Sequence, residues 1–482
     1  MSQSVKKNYL YNMTYQLLTL VLPLVTTPYV SRVLGAQNIG IYSYTLSISA
    51  FFILFGSLGI AMYGQREIAF VRDNREKRSS TFWEIVILRA ITMLLAIVIF
   101  DIVFVNGNND YRIYYRILLL EMAGNVVDIS WFFQGLEDFR KTVMRNMAVK
   151  LASVTCIFLF VRDSSDLPVY FLIYVFSILL GNLSLWLYLP KFIYGPRHGN
   201  LHVFRHFKPT LALFIPQIAI QVYTILDRTM IGAIIADKSE VGYYDQAQKI
   251  VKILLTVVTS IGTVLMPRIA HTFASGDMEK VHEYMRKSFR AVFFFAFPLI
   301  FGILSVADAF VPVFFGAGYD KVKLLMPVIS PIVFLIGMSN VTGIQYLLPT
   351  MRQKEYTISV LAGSGVNFCM NALLIPHFGA LGASIGTVIA ETSVTSIQIF
   401  FTRRDFPWPR IIRSMGPYLL AALVMFAGCL TFRHFVPAGW GSVIGQALAG
   451  ALIYGSVLML MKDPCVNMLL DAVKKRVRKR KG

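Results

Sequence analysis

The chain has 482 residues, of which 56% are hydrophobic and only 15% charged, yet its formal net charge is +20. With a mean hydropathy of +0.61, this composition excludes an ordinary soluble domain. Long apolar runs without ten-residue alternation exclude a β-barrel, which leaves an all-α polytopic membrane protein.

Fourteen spans are predicted, each near the ~20 residues that a helix needs to cross a bilayer. The first six fall near residues 8–30, 38–63, 82–105, 113–134, 143–161 and 168–190. Six more fall near 210–235, 241–266, 289–312, 324–348, 356–376 and 380–401, and a last pair near 415–436 and 440–461. The domain reading follows: a first six-helix lobe (1–190), a polar connector (191–209), a second six-helix lobe (210–401), an extra helix pair (402–461) and a basic tail (462–482).

Lys and Arg concentrate in alternate loops, among them Arg66, Arg72, Arg75, Lys77 and Arg78, then Arg268, Lys280, Arg286 and Lys287. The positive-inside rule makes that side cytoplasmic and places both termini there. The same bias accounts for most of the net charge, so no nucleic-acid partner is inferred. The tail KKRVRKRKG suits the anionic inner leaflet of the bilayer.

The N-terminal MSQSVKKNYLYNMTYQ lacks signal-peptide form, so the first apolar run is expected to remain as a span. Cys156, Cys369, Cys429 and Cys465 are scattered and offer neither a disulfide framework nor a metal site. No GxxxxGK[ST] motif is present, and no soluble segment is long enough for an ATPase. His198, His202 and His206 recur every four residues, but without acidic or Cys companions they read as a solvated basic connector. No cofactor, no metal and no catalytic residue is expected.

The chain also repeats. LGAQNIGIYSY and GQREIAF in the first half match IADKSEVGYYDQ and MPRIAHTF in the second. Gly40 pairs with Gly242, Tyr42 with Tyr244 and Arg66 with Arg268, all at one offset of 202 residues. Because six spans separate the copies, the repeat is parallel, which suits two lobes around a central cavity.

The stretches TPYVSRVLGAQNIGIYSYTLSI, FGSLGIAMYGQREIAFVRD, LDRTMIG and NFCMNALLIPHFGALGASIGTVIAE resemble the polysaccharide, or oligosaccharide-lipid, flippases (Wzx-like) of the multidrug/oligosaccharidyl-lipid/polysaccharide exporter superfamily. The resemblance spans almost the whole chain. It implies a non-enzymatic transporter in a bacterial cytoplasmic membrane that moves undecaprenyl-pyrophosphate-linked repeat units outward by alternating access. Polysaccharide polymerase or assembly proteins are the partners it implies, besides the lipid bilayer.

Embedded charges supply the candidate site, because a charge at the bilayer centre needs a partner or a watery cavity. Asp227 and Arg228 in span seven, with Asp245, Lys249 and Lys252 in span eight, occupy similar predicted depths and leave a surplus cation for a diphosphate. Arg228 is the first candidate, and LDRTMIG carries it and Asp227 into the resemblance. A structural ion-pair set holding helices together is the competing reading. Arg89, Asp128 and Lys150 form a second predicted layer, for which a packing network is the leading reading. Glu391, and Glu121 higher in span four, are candidates for reversible protonation, with Glu391 the first choice for ion coupling. Gln217, Gln221, Tyr223, Asn367 and Asn371 offer neutral polar groups for sugar hydroxyls or for interhelical hydrogen bonds. Within the same superfamily the competing function is a cation antiporter, which the surplus of embedded cations disfavours. A membrane glycan polymerase is disfavoured by the short outer loops.

Overall fold

A computed structural model describes residues 3–107, 110–195, 201–437 and 439–466. Among the described residues every regular element is helical. The chain groups into two compact units, residues 1–242 and 243–482.

The first unit opens with α1 (Gln3–Ser57), 55 residues in which the expected first and second spans run as one helix, broken at Gly35 (φ 75°, ψ 169°). Glycine adopts this positive φ without a Cβ clash; Pro23 and Pro28 lie before the break. Leu58 and Gly59, both at positive φ, end α1, and α2 (Ile60–Val71) follows. Asn74 caps α3 (Arg75–Phe100) by accepting from the amides of Glu76 and Lys77, satisfying donors that a helix start leaves open. α4 (Arg112–Val126), α5 (Ser130–Gly135), α6 (Phe139–Phe160), α7 (Leu167–Trp186) and α8 (Phe207–Ile234) complete the unit. A core of Ile60, Tyr63, Ile68, Phe82, Trp131, Phe132 and Phe133 binds α2, α3 and α5 together.

At the α1 break the repeat becomes physical. A Cβ on Gly40 would lie 1.6 Å from the Lys238 carbonyl oxygen, and one on Gly242 would lie 2.2 Å from that of Ala36. Residues 36 and 238 are themselves 202 apart, so the contact is reciprocal, as a local two-fold between the segments requires. The backbones meet where any side chain would separate them.

α9 (Ser239–Ala274) leads into the second unit, which continues with α10 (Met278–Phe315), α11 (Asp320–Ile329), α12 (Ile332–Ser339), a π-helical stretch (Asn340–Leu347), α13 (Gln353–Phe378), α14 (Ala380–Phe401), α15 (Trp408–Arg413), α16 (Gly416–Phe435) and α17 (Trp440–Leu460). Asp277 caps α10 by accepting from the Lys280 amide, and this bond holds its carboxyl below the ordinary value. α13 and α14 form a hairpin joined by Gly379 alone, at φ 58°.

Among the described residues, twelve helical segments are long and apolar enough to cross a bilayer. The first, Val21–Val71, contains the expected second span and the end of the first, which the helix Gln3–Ser57 carries back, and Phe207–Ile234 occupies the place of the expected seventh, which accounts for fourteen. Outward-facing leucines such as Leu95, Leu448 and Leu452 are exposed, as lipid contact demands. The basic tail lies largely outside the described residues, from 467 onward.

Candidate functional site

Three groups of embedded polar residues emerge within the first unit. The expected fourth span breaks between α4 and α5, and Asp128 sits in the break, accepting from the Ser130 amide at 2.9 Å. Buried Arg89 on α3 donates from Nε to the Asn125 carbonyl at 2.8 Å and faces Asp128 at 3.5 Å. Arg89 thus supplies a donor where the helix break frees a carbonyl, and Asp128 supplies an acceptor for the amide that starts α5. Among the described residues these two are brought together, whereas Lys150 donates to Thr19 on α1 at 3.1 Å.

The second group surrounds Glu121, which is buried. Ser49 Oγ and Tyr174 OH donate to its two carboxyl oxygens, each at 2.9 Å. Both donors are neutral hydroxyls on different helices, α1 and α7, and no cation pairs with Glu121 among the described residues. Isolated charge inside a membrane is costly, and these two hydroxyls are the partners that satisfy the carboxyl oxygens.

The third group corrects the reading of the connector as solvated at His206, while His202, Arg205 and Lys208 are exposed. His206 is buried, and its Nδ1 lies 2.6 Å from Tyr63 OH and its Nε2 2.8 Å from Glu84 Oε2. Glu84 also accepts from the His202 amide at 2.8 Å and pairs with Arg205 at 2.6 Å. A buried acid on α3 needs these donors, and the connector supplies them. The signal lay in a lone carboxylate at the edge of an apolar run (FWEIVILR) and a histidine-rich segment with no other purpose; nothing in the sequence joined them. His198 lies outside the described residues, and no metal-binding cluster occurs among those described.

Asp227 and Arg228 lie on α8, Asp227 buried and Arg228 half-buried. Four residues beyond Arg228, Gly232 lets the Tyr44 ring approach within 2.0 Å of where a Cβ would stand, and Thr229 donates to Ser47 Oγ at 2.7 Å. α8 is thereby held against α1 beside the candidate arginine. Just beyond α8, Lys238 donates to the carbonyls of Gly232 and Ile235 at 2.7 and 2.9 Å, with its ammonium 5.1 Å from the Tyr44 ring centre. Burial draws its pKa below the ordinary lysine value, partly opposed by Asp237. Gln221 is exposed on α8, whereas the side chains of Gln217 and Tyr223 lie outside the described residues.

In the second unit Lys249 pairs with Asp245 one turn back along α9, at 3.5 Å. Lys252 donates to Gln248 at 3.0 Å; Gln248 donates to Tyr244 OH at 2.8 Å, which lies 3.0 Å from Thr387 Oγ1 on α14. This relay joins α9 to α14; the sequence marked Tyr244 only as the repeat partner of Tyr42 and did not mark Gln248. Asn367 and Asn371 on α13 are fully buried, with Asn371 Nδ2 donating to Asn367 Oδ1 at 3.2 Å. Glu391 is buried on α14.

Residues 5–273 match the family model described as polysaccharide biosynthesis protein, and residues 151–449 match that of the lipid II flippase MurJ. An Escherichia coli K12 protein named "Putative O-antigen transporter" is 26% identical over 83% of this chain and 97% of its own length. The Staphylococcus aureus capsular polysaccharide biosynthesis protein CapF is 21% identical over 83% of this chain and 100% of its own. Among solved structures, the lipid II flippase MurJ in an inward closed conformation superposes with a TM-score of 0.76 at 16% identity, covering 94% of this chain and 99% of that one. An inward-facing multidrug resistance MATE family transporter of the MOP superfamily reaches 0.59 at 14% identity, over 81% of this chain and 94% of that one. These superpositions show a shared fold. With a family model matching more than half of its length, the chain belongs to the polysaccharide biosynthesis protein family.

Proposed function

We propose that the protein is a flippase that carries undecaprenyl-pyrophosphate-linked oligosaccharide units from the cytoplasmic to the outer leaflet of a bacterial cytoplasmic membrane, with both termini cytoplasmic, by alternating access. The observation that carries this reading is the alignment, over 97% of its length, of a relative named as an O-antigen transporter. The embedded charges agree with it: Arg228, Lys249 and Lys252 outnumber Asp227 and Asp245, and an anionic headgroup needs such a surplus. Arg228 is the proposed diphosphate contact, because a guanidinium offers paired donors to phosphate oxygens. Lys249 and Lys252 add positive charge along α9, and Gln221, Asn367 and Asn371 are proposed for the sugar.

A diphosphate of about two negative charges gains roughly 4.6 kcal/mol per 100 mV on moving outward, away from a negative interior. The potential alone therefore supports net export. Glu121 is the proposed proton-coupling carboxyl, since neutral hydroxyls are its partners, and Glu391 is the second candidate. Arg89, Asp128 and Lys150 are assigned structural roles.

The test is Arg228→Ala in the host strain. The proposal expects lost export of lipid-linked glycan with cationic dye efflux unchanged. Lost dye efflux with intact glycan export would instead support the antiporter.

A further inference from the structure

We propose that the first unit carries a separate binding site for the phosphate of an anionic phospholipid headgroup, in a cleft between α2, α3 and the turn Val203–His206. The cleft encloses about 540 Å³ and is lined by Tyr63, Lys77, Ser80, Thr81, Arg205 and His206, with Glu67 and Val71 on its α2 wall. The positive-inside bias places this end of the unit at the cytoplasmic interface, where anionic headgroups lie.

The cleft's chemistry is that of a phosphate site. The Lys77 ammonium and the Thr81 hydroxyl have no hydrogen-bond or ion-pair partner among the described residues, although both line the cleft. Arg205 is aimed from the opposite wall and held there by Glu84 at 2.6 Å. Behind it the chain of contacts from Tyr63 through His206 to Glu84 fixes that wall, so the donors are positioned before a ligand arrives. Glu67 is the one acidic side chain in the lining, and Arg66 engages it at 3.0 Å. With Lys77 and Arg66 set against Glu67, and Arg205 against Glu84, one positive charge remains for an anion.

Two aromatic side chains argue for a lipid rather than a soluble anion. Phe70, next to Val71, and Phe204, next to Arg205, are 75% and 71% exposed. Large apolar rings beside a cationic cleft match a ligand with a phosphate at one end and acyl chains at the other, as at a membrane interface.

The experiment uses the purified full chain in nanodiscs of phosphatidylcholine containing phosphatidylglycerol, with tightly retained lipid measured by native mass spectrometry. Lys77→Gln, at an exposed position that folding does not need, is expected to weaken phosphatidylglycerol retention by about tenfold, the scale of one charge-assisted contact. Thr81→Val is expected to give a smaller loss. Lys280→Gln, at an exposed ion pair remote in sequence, is expected to leave retention unchanged. Equal retention in Lys77→Gln and the parent chain would overturn the proposal, as would an equal loss in Lys280→Gln, which would mean general surface attraction. A third arm adds inorganic phosphate to the chain in phosphatidylcholine alone. Stabilisation by phosphate that depends on Lys77, without selective retention of phosphatidylglycerol, would reassign the cleft to a soluble anion.

Discussion

Gly40→Ala puts the packing argument at its sharpest. The new Cβ would stand 1.6 Å from the Lys238 carbonyl oxygen and 3.1 Å from the Gly242 nitrogen. Because real Cβ contacts below 3.0 Å essentially do not occur, the segments must part by more than an ångström, and backbone rather than a flexible side chain must give way. Overpacking of this kind costs about 1–3 kcal/mol. Lys238 would move as well, straining its bonds to the Gly232 and Ile235 carbonyls, so we expect at least the middle of that range, roughly a 30-fold change in an equilibrium constant at about 2 kcal/mol. Thermal unfolding followed by size-exclusion fluorescence reads the loss. Gly242→Ala should behave similarly, and the double variant should lose less than the two losses combined, because both relieve one contact. Gly365→Ala, in the interior of α13 with nothing within 4 Å of its Cβ, should gain up to about 1 kcal/mol from helix propensity. A Gly40→Ala protein as stable as the parent, with Gly365→Ala behaving as described, would refute the close-approach reading.

Glu121→Gln keeps the shape and one of the two acceptors, and the other hydroxyl can turn to accept from the new amide NH2, so unfolding should stay within about 1 kcal/mol of the parent while transport loses its response to an imposed pH gradient; a parental pH response would remove Glu121 from the coupling role. Lys238 has a folded pKa below the ordinary value of about 10.4, so the unfolded chain holds the proton to higher pH and stability should rise from the lowered value up to about 10.4, then level off. Lys238→Met should abolish that rise in alkaline unfolding titrations and lower stability through two lost donors; an unchanged alkaline limb would contradict the burial argument. Arg352 bonds Glu355 at 3.0 Å, Asp405 and the Phe401 carbonyl at 2.9 Å; because it is partly exposed, Arg352→Ala should cost only about 1–2 kcal/mol in the same unfolding assay.

The membrane fold was legible because a span needs little more than apolar length, and the 202-residue repeat was legible because Gly40 and Gly242 keep a side-chain-free contact. The continuity of α1 through Gly35 was not, since a single positive φ replaces what reads as a loop in LGAQ. Depth counting put Arg89 and Asp128 at one level, and their distance bears that geometry, but the α4–α5 break that uses them has no local sequence mark. Lys150 shared that predicted depth, yet its hydrogen bond to Thr19 depends on where α1 lies, which depth does not encode. The partnership of Glu84 with His206 spans 122 residues, and a buried acid and its donors so far apart are joined only by the fold. The same is true of Tyr244 and Thr387.

The central claim is transport of a lipid-linked glycan, and its most direct measurement is translocation in proteoliposomes. The full chain would be reconstituted with a fluorescent undecaprenyl-pyrophosphate oligosaccharide, and the label exposed in the opposite leaflet followed under an imposed membrane potential. The account predicts movement that speeds up when the potential favours transfer of the anionic headgroup and fails in Arg228→Ala. No translocation at any imposed potential, with correctly folded protein and verified substrate, would contradict it.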